Sequence, residues 1–171
     1  MELWDVLTAE GKPTGRTMVR GGNVIRSGEY HLVVHIWPLN DYGSIIIQKR
    51  TKTKRLMPGI WAATGGAAIA GETSVVAAAR ELGEELGIYV DTDDLHLVKR
   101  IKRRNSFIDM WTVRANVRVP ELKLQKSEVA EAKWVNKATL AAMIESGEFH
   151  DYGKDYFNLV YGLVDKIKAE E

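Results

Sequence analysis

The chain contains no cysteine and only four prolines among its 171 residues. The missing thiols exclude disulfides, thiolate metal sites and cysteine nucleophiles. No proline-rich or low-complexity linker divides the chain, and no internal repeat is visible. No apolar run approaches the ~20 residues of a membrane-spanning helix. The opening Met1-Glu2-Leu3-Trp4-Asp5 lacks the basic and apolar regions of a secretory leader. Neither sign of charge dominates: 24 Lys+Arg face 23 Asp+Glu, for a net +1. Such a balance gives no overall field to draw a nucleic-acid polymer or a membrane surface. Together these absences lead to the expectation of a reduced, cytoplasmic setting.

What is present is ordinary globular material, 45% hydrophobic and 27% charged. The length fits one domain, 1–171, able to bury roughly two thirds of its unfolded surface. Residues 1–29 read as an N-terminal extension. Leu3 to Thr8 alternates as a strand, Ala9 to Gly15 carries turn chemistry, and 16–29 are poorly patterned and read as an exposed loop. Strands are expected over 30–39, 44–48, 60–63, 94–102, 106–118 and 132–135. Helices are expected over 73–86, 137–146 and 154–169, the last with Phe157, Val160, Val164 and Ile167 on one side. This irregular interleaving predicts an α/β fold with a mixed sheet packed between helices.

The chemistry concentrates in Gly66 to Ile88. At ~100° per residue, Val75, Val76, Ala79, Leu82 and Leu86 form an apolar stripe, while Glu81, Glu84 and Glu85 gather on nearly the opposite side with Arg80 at their edge. Glu72 and Thr73 suit the helix start, and Gly87 suits its end. Three carboxylates within one turn repel one another, and Arg80 offsets only part of the charge. The cluster therefore reads either as a solvated acidic face or as a site for a hard cation, Mg²⁺ or Mn²⁺, with phosphate oxygens beyond it.

The spacing separates these readings. Gly66, Glu72, Arg80, Glu81, Leu82, Glu84, Glu85, Gly87 and Ile88 fill every fixed position of G-x5-E-x7-R-E-U-x-E-E-x-G-U (U aliphatic), so 66–88 resembles the Nudix box. Lys49-Arg50, Pro58-Gly59-Ile60-Trp61 and Glu131-Ala132-Lys133-Trp134-Val135 extend the resemblance across about residues 30–145. It implies a Nudix fold, an α/β/α sandwich, and metal-dependent hydrolysis of a nucleoside diphosphate linked to X. Carried over by position, Glu81, Glu84 and Glu85 are the metal carboxylates. Gly66 lends a backbone carbonyl, and Glu72 and Arg80 brace the box. A small-molecule diphosphate is the implied partner, and a homodimer is plausible for such a fold.

Water attack on phosphorus needs a general base. Members of the family take it from the box or from a later loop, and Glu128 is the loop candidate here, with Glu131 second. Two basic clusters can meet phosphate: Lys49, Arg50, Lys52, Lys54 and Arg55, and Lys99 to Arg104. Arg50 stands out because it directly follows an apolar strand that can hold it rigidly, and Lys54 joins it. Two alternatives compete. The N-terminal region and Tyr30-His31-Leu32 resemble the isopentenyl-diphosphate-isomerase-like branch, yet Gly65, Gly66 and Ala67 stand where that enzyme has its cysteine, glycine and histidine. A non-catalytic nucleotide sensor is the other. His31 and His35 read as strand residues with satisfied hydrogen bonds, His31 alone matching an isomerase metal ligand.

Overall fold

The structure, a computed structural model, describes residues 1–22 and 25–169. Five strands run β1 (Leu3–Leu7), β2 (Pro13–Val19), β3 (His31–Leu39), β4 (Ile45–Arg50) and β5 (Trp61–Ala62). Next come β6 (Thr64–Ala67), α1 (Ser74–Leu86), β7 (His96–Lys102) and β8 (Ser106–Arg114). The chain ends with β9 (Val129–Val135), α2 (Lys137–Ser146) and α3 (Lys154–Ala169). β1 and β2 form a separate antiparallel pair. The other seven strands form a mixed sheet in which β3 and β8 are parallel and the remaining pairings antiparallel.

The run Ile45-Ile46-Ile47 shows why the middle of the sheet is apolar without alternation. Ile45 and Ile47 pack with Trp37, Met110 and the α2–α3 side chains Leu140, Phe157, Val160 and Val164. Ile46 turns to the other face, with Val34, Ile36 and the α1 residues Ala77, Ala78, Leu82 and Leu86. Both faces are covered, so both must be apolar.

Three expectations change. Pro13 to Val19 is a strand, because its register against β1 from Leu3↔Val19 to Leu7↔Pro13 supplies partners that its weak pattern does not advertise; positions 23 and 24 of the expected loop lie outside the described residues. β6 was not expected: Thr64-Gly65-Gly66-Ala67 has little strand propensity, but pairs with Val33 to Ile36 of β3. Strand β8 ends at Arg114, short of 118. Among the described residues no helix is long and apolar enough to cross a membrane.

The sheet divides at one place. β3 and β4 pair only at Leu39↔Ile45; beyond it, β3 is bordered by β6 and β8, and β4 by β5 and β9. The chain leaving β6 enters α1, whose C-terminal half lies over this division. The hairpin closes one flank through Leu7 N–H to Tyr30 O (2.7 Å), Ala70 N–H to Leu3 O (2.7 Å) and Gly71 N–H to Asp5 Oδ2 (2.8 Å).

Candidate active site

Helix α1 begins where Thr73 Oγ1 accepts the Val76 N–H (3.4 Å) and ends where Gly87 turns left-handed at φ 69°. Its buried side differs from the expected one. Val76 is 45% exposed, whereas Ala77 and Ala78 are fully buried with Leu82 and Leu86. Alanines allow the helix to approach the sheet closely, and that rotates Glu85, about 60° from Leu82, into the interface. Glu85 is 5% exposed. The three glutamates are therefore not one solvent-facing patch: Glu85 is buried, Glu81 nearly so, and only the Glu84 side chain, at 50%, stands in water.

Arg80 organises the outer part. Its Nε and Nη2 grip the Glu72 carboxylate at 2.6 and 3.0 Å, Nη1 reaches Glu81 (3.0 Å) and Glu84 (3.2 Å), and Nη2 also meets Ala67 O (3.2 Å). Burial works against the Glu72 charge, but the Arg80 hydrogen bonds and the Ile69 N–H (2.9 Å) outweigh it and hold the carboxyl below its ordinary range. Bidentate pairing of this kind is among the strongest side-chain interactions. It makes Glu72 and Arg80 a clasp between the loop before α1 and the helix itself.

The inner carboxylates receive less relief. Burial raises the Glu81 carboxyl despite Arg80. Burial and the neighbouring Glu81 charge push Glu85 up to about 8, only partly offset by hydrogen bonds from Gln48 and the Gly65 N–H (3.3 Å). Gly66 leaves room for the Glu81 carboxylate: a Cβ there would stand 2.4 Å from Glu81 Oε1 and displace it. Gly65 is required by space, since its Cβ would lie 2.1 Å from Val34 O. The same clash faces a cysteine at 65, so this backbone does not accommodate the isomerase nucleophile position.

Across from α1, Lys54 Nζ forms an ion pair with Glu128 Oε2, and Glu128 is close enough to act on the Glu85 charge. Arg50 is held by a bond from Nε to Leu56 O (2.9 Å), and its field reaches His150 and Tyr152. Gly66, Glu72, Arg80, Glu81, Glu84 and Glu85 thus assemble around α1, with Glu128 and Lys54 on the facing loops and Arg50 at the end of β4. Glu131 lies on β9 opposite Lys49. The second basic cluster is largely engaged elsewhere: Arg100 pairs with Asp109, Lys102 bonds Ala9 O, and Arg103 bonds Tyr152 O.

Residue reading missed Gln48, whose Oε1 accepts from Thr64 Oγ1 (3.0 Å) and whose side chain meets Glu85. A polar residue following Ile45-Ile46-Ile47 was the available signal. It also missed Tyr152, buried so that its hydroxyl is pushed up to about 12, with Ala63 N–H donating to it (3.2 Å). His35 has its expected partner, Tyr156 Oη at 2.7 Å. His31 does not: Nδ1 is buried without a partner, and Trp4 stacks flat on the ring at 4.3 Å.

Among the described residues, no three His, Asp or Glu side chains converge closely enough to cage an ion. The three α1 glutamates therefore form no closed cage; Mg²⁺ usually takes one or two carboxylates directly and completes its shell with waters and substrate phosphates. The donor set of buried, repelling Glu81 and Glu85 beside the Gly66 backbone fits such an ion.

A family model described as the NUDIX domain matches residues 29–153. An uncharacterized Nudix hydrolase of Listeria monocytogenes is 41% identical over 153 residues, covering 89% of this chain and 90% of its own. The crystal structure of the Deinococcus radiodurans protein DR0079 superposes with a TM-score of 0.75 at 21% identity, covering 97% of this chain and 99% of that one. The NUDIX domain of Shewanella oneidensis NrtR, solved in complex with ADP ribose, gives a TM-score of 0.60 at 14% identity, with coverages of 88% and 93%.

Proposed function

Because the chain belongs to the Nudix hydrolase family, whose members hydrolyse nucleoside diphosphate derivatives, we propose that it cleaves the diphosphate bond of a small nucleotide derivative with Mg²⁺ or Mn²⁺ at Glu81, Glu84 and Glu85. The observation that carries this reading is the charge arrangement around Arg80. Arg80 divides a single positive charge among Glu72, Glu81 and Glu84, so Glu81 and Glu85 stay buried with their carboxyls raised, Glu85 in part by the Glu81 charge. A plain surface salt-bridge network has no reason to bury them.

When bound, a divalent ion would neutralise phosphate charge and lower the pKa of a coordinated water. The residues of the chain do the rest. The Arg80–Glu72 clasp fixes the loop after β6, so that the Gly66 carbonyl and the α1 carboxylates keep one geometry. Arg50, tied to Leu56 O, offers the remainder of its guanidinium to a phosphate oxygen. Lys54 and Glu128 act as a pair. An arriving phosphate draws the ammonium from Glu128, and the freed carboxylate takes the proton of the attacking water. The residues act within one domain.

The test is a panel of nucleoside diphosphate derivatives, ADP-ribose included, incubated with Mg²⁺ or Mn²⁺ and read by phosphate release after phosphatase treatment. We expect turnover that Glu84→Gln reduces by at least ~10²-fold with little change in melting temperature, since that side chain is half exposed. Binding without turnover would favour a sensor, and wild-type turnover in Glu84→Gln would overturn the metal role.

A further inference from the structure

His35 is 9% exposed and sits on β3 directly opposite Gly65. Two groups, an indole and a hydroxyl, fix its proton. The Trp37 indole can only donate, and its Nε1–H reaches Tyr156 Oη at 2.9 Å. Tyr156 must then send its own proton to the remaining neighbour, His35 Nδ1, 2.7 Å away; any other assignment strands a hydroxyl proton in a dry interior. His35 is therefore neutral and carries its hydrogen on Nε2.

That Nε2–H has no acceptor among the described residues, yet it is not sealed from solvent: His31 Nδ1 is the one fully buried, unpartnered side-chain nitrogen or oxygen there. The direction in which it opens follows from Gly65. The ring carbon bonded to Nε2, Cδ2, lies 3.1 Å from where a Cβ at 65 would be. Any side chain at that position would cover this edge of the ring; glycine leaves it bare. Glu85 lies close to this edge: it accepts the Gly65 N–H (3.3 Å), and its charge acts on Tyr152, whose ring stands 5.0 Å from that of His35. Two guanidinium fields overlap on this cluster, Arg103 acting on His35 and His150, and Arg50 on His150 and Tyr152.

We propose that His35 is a substrate-binding residue: its Nε2–H, uncovered beside Gly65, donates a hydrogen bond to a phosphate oxygen of the diphosphate held at the box, and the Trp37–Tyr156 chain is the device that keeps the proton on that nitrogen. The proposal rests on the diphosphate reading above. A neutral donor suits this place. An imidazolium would compete with Arg50 and with cations at Glu85, whereas a tautomer locked from behind presents one N–H at fixed orientation.

The probe is imidodiphosphate with Mg²⁺, a non-hydrolysable diphosphate without ribose or base, titrated by calorimetry and by long-range ¹H–¹⁵N spectra of the histidine rings. We expect the free protein to show His35 as the Nε2–H form and its Nε2 resonance to move on saturation. His35→Phe should weaken binding about tenfold, the usual effect of losing a hydrogen bond to a charged partner. His35→Gln, whose amide can place an N–H near the same point, should recover most of it. Tyr156→Phe should weaken binding by less and populate the Nδ1–H form. An Nδ1–H tautomer in the wild type, an unmoved Nε2 resonance at saturation, or unchanged affinity in His35→Phe overturns the proposal while leaving the diphosphate reading standing. A response to ADP-ribose with none to imidodiphosphate overturns it in favour of a sugar contact. Failure of the wild type to bind either compound overturns both.

Discussion

Glu85 illustrates how burial sets the protonation of a single side chain. Its carboxyl is pushed up to about 8 from an ordinary 4.5, so the metal-free folded state keeps a proton that the unfolded chain has already released. The sign follows: this contribution to stability is complete below pH 4.5 and is lost as pH rises through 8. In EDTA the melting temperature should fall by several degrees between pH 5 and pH 9, since about 1 kcal/mol shifts it by ~2–4 °C at this chain length. Glu85→Gln should flatten that dependence, raise the high-pH melting point and abolish phosphate release. A pH profile that Glu85→Gln leaves unchanged would reassign the buried charge. Gly66 makes the complementary point through volume. Its missing Cβ is the space taken by the Glu81 carboxylate, so Gly66→Ala should cost about 1–3 kcal/mol in chemical denaturation and lower Mg²⁺-dependent turnover by displacing Glu81.

At the scale of the element, α1 is a short helix anchored at both ends. Thr73 caps one end, Gly87 the other, and the Glu72–Arg80 clasp ties the preceding loop to its middle. Thr73→Ala removes only the cap and should reduce stability by about 1 kcal/mol with little effect on phosphate release. A large loss of turnover instead would show that the helix start sets the position of the carboxylates. The termini and length of α1 were readable in the chain because caps and left-handed glycines are local devices. Its rotation was not. Valines outrank alanines in hydrophobicity, so the apolar stripe was drawn through Val75 and Val76; close packing on a sheet favours Ala77 and Ala78, and Glu85 is carried inward with them. Strand β6 escaped notice for a related reason, its two glycines being selected by the approach of Val34 and Glu81 and not by strand propensity.

At the scale of the molecule, the division between β3 and β4 brings together groups far apart in sequence: Gln48, Gly65, Glu85, Glu128 and Tyr152 converge around it. Ligation across such a junction should stabilise the whole fold. At free Mg²⁺ about 100 times its Kd, unfolding free energy should rise by about 2.7 kcal/mol, with proton release on binding near neutral pH because Glu85 must ionise. Calorimetry in two buffers of different ionisation enthalpy checks the proton count, and a stability indifferent to Mg²⁺ would contradict the site. The chain by itself determined the family, the three helices, most strands and the identity of the box residues, since spacing, capping and apolar periodicity are properties of neighbours along the backbone. Only the tertiary structure decided which carboxylate is buried, that Lys54 and Glu128 meet, and that His35 lies against Tyr156. Desolvation and hydrogen-bond partnership depend on what is packed against a group, and those contacts come from residues 74 or 121 positions away.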